Sequence, residues 1–267
     1  MNIIPKPKNS DSISDNFIAF VELVKILRKE CPWDKEQTNE SIGHLMIEEV
    51  YETYDAIMTQ NHNETSKELG DLLLHIVMHS VIAEEDNKFS LIDIIQKIHH
   101  KMVSRHPHVF GETEVSGSAE VMNNWEKLKK KEGKKTVLEG VPNSLPSLLK
   151  AERIQQKAAR VGFDWENKED VLPKLEEELN EFKAEITNPN GIDKEKMTEE
   201  FGDLMFTMVN LARKYDIVPE DALQSANRKF TNRFNKVEQK VKDLGKNISD
   251  FTPQELDIFW EKAKKEE

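Results

Sequence analysis

Apolar residues at Phe17, Phe20, Val21, Val24 and Leu27 recur three and four apart, the spacing of one face of an α-helix. Two later runs are denser: LLLHIVMHSVIA follows Asp71, and LMFTMVNLA follows Asp203. Both are apolar on most faces, which predicts helices buried nearly all round. No segment carries a convincing strand alternation. Helix-start signals point the same way. DKEQ (Asp34–Gln37), SLID (Ser90–Asp93) and TPQE (Thr252–Glu255) each place a capping residue first and an acid or amide three residues later. Pro253 adds proline at the first helical position. Glycine and proline number ten each, sparse for a turn-rich β fold, so the predicted class is all-α.

The pattern also repeats. Glu48, Glu49 and Glu52 recur as Glu177, Glu178 and Glu181, an offset of 129 residues. Glu68 and Asp71 recur as Glu200 and Asp203 at 132, and Lys101 and Arg105 as Lys229 and Arg233 at 128. WEKLKKKE from Trp125 recurs as WEKAKKEE from Trp260, at 135. Ordered features at nearly constant offset indicate a tandem duplication. Two helical bundles are expected, 14–132 and 148–267, joined by a lysine-, glycine- and proline-bearing linker over 133–147.

The repeated residues are carboxylates, which directs attention to metal chemistry. On a helix, Glu177 and Glu178 lie four and three residues before Glu181, so the three converge on one face. Glu199 and Glu200 stand in the same relation to Asp203. Such like-charge pairs cost roughly 0.2–0.5 kcal/mol each, so a compensating cation is expected. The connection between the two segments is short enough for an antiparallel hairpin that would unite both trios. Oxygen donors without cysteine or histidine suit a hard cation, magnesium or manganese. A ferritin-like di-iron centre would need Glu-x-x-His on two helices. Here Glu68 and Glu200 are followed at that position by Asp71 and Asp203. His75 has Thr207 as its counterpart, which cannot ligate as imidazole does. His106 and His108 flank Pro107 without a third ligand at finger-like spacing, and are read as a structural turn. Cys31 has no base beside it and is read as an inert packed thiol.

Charge narrows the partners. The 267 residues hold 38 Lys and Arg against 50 Asp and Glu, a formal net charge of −12. That balance argues against a protein that coats nucleic acid or an anionic membrane, while leaving room for a phosphorylated small molecule met by local cations. A single cysteine forms no internal disulfide, and no apolar run reaches membrane-spanning length. With no signal-peptide core near Met1, the expected location is cytoplasmic.

EExxE followed about twenty residues later by ExxD, in an all-helical chain, resembles the MazG-type nucleoside triphosphate pyrophosphohydrolases. CPWDKEQT (Cys31–Thr38), RHPHVFGE (Arg105–Glu112) and VGFDW (Val161–Trp165) strengthen the likeness, which spans both repeats. The resemblance implies an enzyme that cuts nucleoside triphosphates to the monophosphate and pyrophosphate with Mg2+, Mn2+ being a possible substitute, and that works as a homodimer. It implies catalytic and metal-binding roles for Glu177, Glu178, Glu181, Glu200 and Asp203, with Glu199 also at the site. Nucleotide contacts would fall on Lys174, Lys196, Glu199, Lys229, Arg233 and Trp260. The first-repeat counterparts are Glu48, Glu49, Glu52, Glu68, Asp71, Lys101, Arg105 and Trp125. Trp260 fits base stacking and core packing equally well. A non-catalytic helical protein that senses nucleotides or docks on a partner is the alternative. The repeats are expected to be unequal, because Lys67 replaces Glu199, Glu64 replaces Lys196, and Pro107 should end or kink the helix after Arg105 while FNKVEQKV can continue it after Arg233. In that reading Lys67 pairs with Asp71 and competes with the cation, leaving the second repeat as the main catalytic one.

Overall fold

The computed structural model describes residues 3–117, 120, 121, 124, 125, 136–189 and 191–266. Among them there is no strand, and the chain divides into two compact units, Met1–Trp125 and Glu126–Glu267. The expected linker begins at residues 133–135, which lie outside the described set, as does the lysine-rich stretch after Trp125.

The first unit is built from α1 (Ile13–Glu30), α2 (Pro32–Glu36), α3 (Gly43–Met58), α4 (His62–Glu85), α5 (Leu91–Arg105) and α6 (Pro107–Phe110). Ser12 caps α1 by accepting from the Asp15 amide. Asn61 does the same for α4 through the Glu64 amide, and Ser90 with Asp93 forms the expected capping box on α5. Asp34 is not a cap. It lies inside α2, which starts two residues earlier because Pro32 takes the first helical position after Cys31. Pro107 likewise separates α5 from α6, so Arg105 ends its helix.

The core of this unit gathers Val24 of α1 with Val77, Met78, Val81 and Ile82 of α4, sealed by Ile42 and flanked by Phe17, Phe20 and Val21. The helical spacing of α1 is thus confirmed as its buried stripe, except that Leu27 remains partly open. The expectation that α4 is buried all round holds only from Val77 onward. Leu69, Leu73 and Ile76 are exposed before it. The hairpin partner α3 and the neighbours α1 and α5 shield only part of the helical cylinder, so an apolar stripe stays open.

The second unit contains α7 (Ser147–Ala159), α8 (Val171–Ile186), α9 (Lys194–Lys214), α10 (Pro219–Asp243) and α11 (Pro253–Lys265), with a 3-10 turn at Ile248–Asp250. Asp193 caps α9 by accepting from the Glu195 and Lys196 amides, and Thr252 with Glu255 boxes the start of α11. α8 and α9 form the same hairpin as α3 and α4, locked by Phe182 against Phe201 at a ring separation of 5.5 Å. On α9, Phe201, Phe206 and Met208 are exposed, so here too the dense apolar run is only partly covered. No helix among the described residues is long and apolar enough to cross a membrane.

Candidate functional site

In the second unit the hairpin brings carboxylates from two helices together. Oxygens of Glu178 and Glu181 on α8 and Glu200 on α9 all lie within 4.8 Å of one another. Asp203 and Glu199 stand outside this closest trio but near enough to act on Glu200. Burial, and then the charges of Glu181, Asp203, Glu178 and Glu199, raise its proton affinity above the ordinary carboxylate value. Glu177 is not part of the trio; it is exposed, and its Oε1 accepts from Lys174 Nζ at 3.0 Å.

Lys174 also reaches Glu178 Oε1 at 2.8 Å, and the two glutamates hold its ammonium more firmly protonated than usual. The crowding of like charge on α8 is therefore partly offset from within the same helix, one turn upstream. Glu178 is 5% exposed, and its second oxygen, Oε2, has no hydrogen-bond partner. A buried carboxylate oxygen left bare is costly unless a cation meets it. The oxygen-only donor set and that bare Oε2 together fit a hard divalent ion.

The first unit repeats the arrangement with a different trio: Glu49 of α3 with Glu68 and Asp71 of α4, again within 4.8 Å. Burial, then Asp71, Glu52, Glu68 and Glu48, raise the proton affinity of Glu49. Glu68 is 4% exposed, with its Oε2 bare. Lys67 does not pair with Asp71 as expected. Its ammonium sits 2.9 Å from Glu68 Oε1 and 3.5 Å from Glu64 Oε2, because the buried Glu68 offers a closer oxygen. Lys67 thus does in one cluster what Lys174 does in the other.

The cationic elements repeat as well. The Arg105 guanidinium lies over the Trp125 ring at 5.7 Å, and that of Arg233 over Trp260 at 5.9 Å. Trp260 also packs on Phe230 at a ring separation of 5.0 Å. Arg233 lies in mid-helix on α10, with Lys229 exposed one turn earlier, whereas Lys101 and Arg105 sit in the closing turns of α5. Lys196 is exposed in the first turn of α9. His106 Nδ1 lies 2.6 Å from the Met102 carbonyl and its ring packs against Trp125, which makes it part of the turn.

Beside the second cluster the structure opens a cavity of about 720 Å³. Lys174, Glu178 and Asp203 stand on its wall, together with Gln155 and Ala158 of α7, Phe163 and Trp165 of the VGFDW segment, and Phe206, Thr207, Asn210 and Arg213 of α9. Val137 and Leu138 close one side. They are held there by Lys157, only 5% exposed, whose ammonium donates to the carbonyls of Val137 (3.2 Å) and Glu139 (3.0 Å). The VGFDW segment is tied to α9 through Asp164, which pairs with Arg213 at 2.5 Å and Lys214 at 3.0 Å. These pairs hold the Asp164 carboxyl below its ordinary proton affinity despite its burial. Gly162 adopts φ +90° where α7 turns into this segment. Its surroundings are open, so the backbone conformation rather than crowding favours glycine. Of this wall the sequence had pointed to Lys174, Glu178, Asp203 and the VGFDW segment, whereas Gln155, Asn210 and Arg213 were not singled out.

Comparison with known proteins follows the same two-unit division. The model of the MazG nucleotide pyrophosphohydrolase domain matches residues 37–110 and again 166–238. A nucleoside triphosphate pyrophosphohydrolase/pyrophosphatase MazG of Thermotoga maritima is 42% identical over 255 residues, covering 92% of this chain and 96% of that protein. A nucleoside triphosphate pyrophosphohydrolase of Escherichia coli K12 is 37% identical over 257 residues, covering 95% and 97% respectively. An uncharacterized protein, YabN, of Bacillus subtilis is 40% identical across 99% of this chain, which spans 55% of YabN.

Proposed function

This chain belongs to the MazG nucleotide pyrophosphohydrolase family, and from that premise we propose that it hydrolyses nucleoside triphosphates to the monophosphate and pyrophosphate in a magnesium-dependent reaction. The observation that carries the proposal is the second unit's carboxylate trio, set within 4.8 Å on the hairpin and continuous with a cavity that Lys174, Glu178 and Asp203 share. Glu178, Glu181, Glu200 and Asp203 would hold the cation, and Mn2+ meets the same oxygen-donor requirement. When bound, the ion supplies Lewis-acid charge at phosphate oxygens and makes water a better nucleophile.

The chain's own residues do the rest. Lys174, on the cavity wall beside Glu178, would offer its ammonium to the triphosphate. Lys229 and Arg233, one turn apart on α10, present two further cations to the departing anion. Water attacks the α-phosphorus, the bond from that phosphorus to the α,β-bridging oxygen breaks, and pyrophosphate leaves with the electron pair. A cluster carboxylate not engaged by the cation accepts the water proton. Cation and basic side chains together lower the charge on the leaving group, which is the main requirement of phosphoryl chemistry.

The test is product analysis on the purified full chain with each common nucleoside triphosphate. Monophosphate and pyrophosphate in equal amounts, abolished by chelation, are expected. Diphosphate and orthophosphate as primary products would assign a different reaction, and nucleotide binding without turnover would make the chain a sensor. The apolar stripes left open on α4 and α9 support a homodimer, for which light scattering should return twice the chain mass.

A further inference from the structure

We propose that the cavity beside the second cluster receives the nucleobase, and that Gln155 is the base-binding residue that accepts from an N–H group on the base edge. This deepens the reading above and rests on it. A cavity of about 720 Å³ lies within the roughly 300–1,000 Å³ usual for small-molecule sites. Its wall combines apolar surface with a few polar groups, the composition that suits a flat heterocycle. Phe163 is 81% exposed and Trp165 40%, so aromatic faces stand uncovered beside the cavity for a ring to stack on.

Gln155 is the unusual wall residue. It is 6% exposed, and its Nε2 donates to the Phe206 carbonyl at 2.8 Å. That bond fixes the amide, because a carbonyl can face only the NH2 side. The other atom, Oε1, is therefore a committed acceptor, and it is buried without a partner. A buried acceptor without a bond is expensive in the free protein and is satisfied by a ligand that brings a donor. Every common base offers such an N–H, whereas phosphate is drawn instead to Lys174 and a cation at the carboxylate cluster. With Lys174, Glu178 and Asp203 lining the same cavity, a nucleotide seated by its base extends its phosphates toward the cluster.

The first unit supplies the contrast. At the offset of 132 residues that relates Asp71 to Asp203, Asn210 corresponds to Met78 and Arg213 to Val81. Both Met78 and Val81 are buried in that unit's apolar core. At these two positions a polar group on the cavity wall in one repeat is replaced by packed hydrocarbon in the other.

The experiment uses the full chain and two variants, Gln155→Met and Ala158→Phe, with melting temperatures to establish folding. Turnover is measured on the four common nucleoside triphosphates and on N3-methyluridine triphosphate, and intrinsic tryptophan fluorescence reports monophosphate binding under chelation. Gln155→Met should raise KM about tenfold or more with kcat little changed, and should erase the wild type's preference for uridine over N3-methyluridine triphosphate. Ala158→Phe, filling the cavity, should lower kcat/KM for every base and abolish the fluorescence response. Should Ala158→Phe not fold, Gln155→Met decides alone. Wild-type kcat/KM and base selectivity in Gln155→Met would overturn the pocket while pyrophosphate release upholds the activity. Monophosphate binding lost in Gln155→Met, in a wild type that releases no pyrophosphate, would uphold the pocket and reject the activity.

Discussion

Glu178 concentrates the chemistry of the second cluster in one side chain: buried, paired with Lys174 through one oxygen and bare at the other. Replacing it with glutamine keeps the shape and removes the charge. Glu178→Gln should lower kcat/KM by roughly a hundredfold or more, the scale for losing a preorganised electrostatic group. The metal-free melting temperature should barely move, because losing the Lys174 pair offsets relief from Glu181 and Glu200. Magnesium should raise the melting temperature of the wild type and not that of the variant. A solvated helix glutamate would show neither effect. That Glu178 and Glu181 share a face was legible from their spacing. That Lys174 answers Glu178, or that Gln155 ends in a bare acceptor, was not, since rotamers and cavities are set by contacts between segments distant in the chain.

On α4 the histidines matter more for stability than for ligation. His79 Nδ1 lies 2.7 Å from Asn39 Oδ1, while Nε2 is buried without a partner. Burial pushes both His75 and His79 below their ordinary proton affinity, with His79 adding to the effect on His75. The folded state therefore resists protonation that the unfolded chain accepts from about pH 6.5 downward. Stability should be full above that pH and fall as the pH drops from it toward the lower folded-state values. Thermal melts between pH 7.5 and pH 5 should show this loss, and His79→Leu should flatten it. An equal acid slope in the variant would place the sensitivity elsewhere. Element starts were legible where a hydroxyl preceded the helix, as at Ser90 and Thr252. The reading failed at Asp34, where Pro32 claimed the first position upstream. The apolar runs on α4 and α9 were correctly helical but overstated as burial, because periodicity reports which faces are apolar and not what lies against them.

The duplication was legible in outline because carboxylates, cations and tryptophans recur in order, and each unit rebuilds its trio and its arginine-over-tryptophan pair. The proposed inequality of the repeats keeps one of the grounds the sequence offered, the helix that Pro107 ends after Arg105 and that runs on past Arg233, and loses the other. A lysine on a buried glutamate is common to both clusters, so Lys67 does not single out the first. The second has a cavity at its side, lined by Asn210 and Arg213 where the first unit packs Met78 and Val81 into core, and its Arg233 stands on an unbroken helix. Asp203 stands on that cavity wall as well as beside the cluster, and Asp71 is its counterpart. The decisive measurement is the rate of magnesium-dependent pyrophosphate release by Asp203→Asn and Asp71→Asn in the full chain, each at saturating nucleotide and magnesium. The account predicts that Asp203→Asn loses at least about a hundredfold in kcat while Asp71→Asn stays within a few-fold of wild type. Equal losses, or the larger loss in Asp71→Asn, would contradict it.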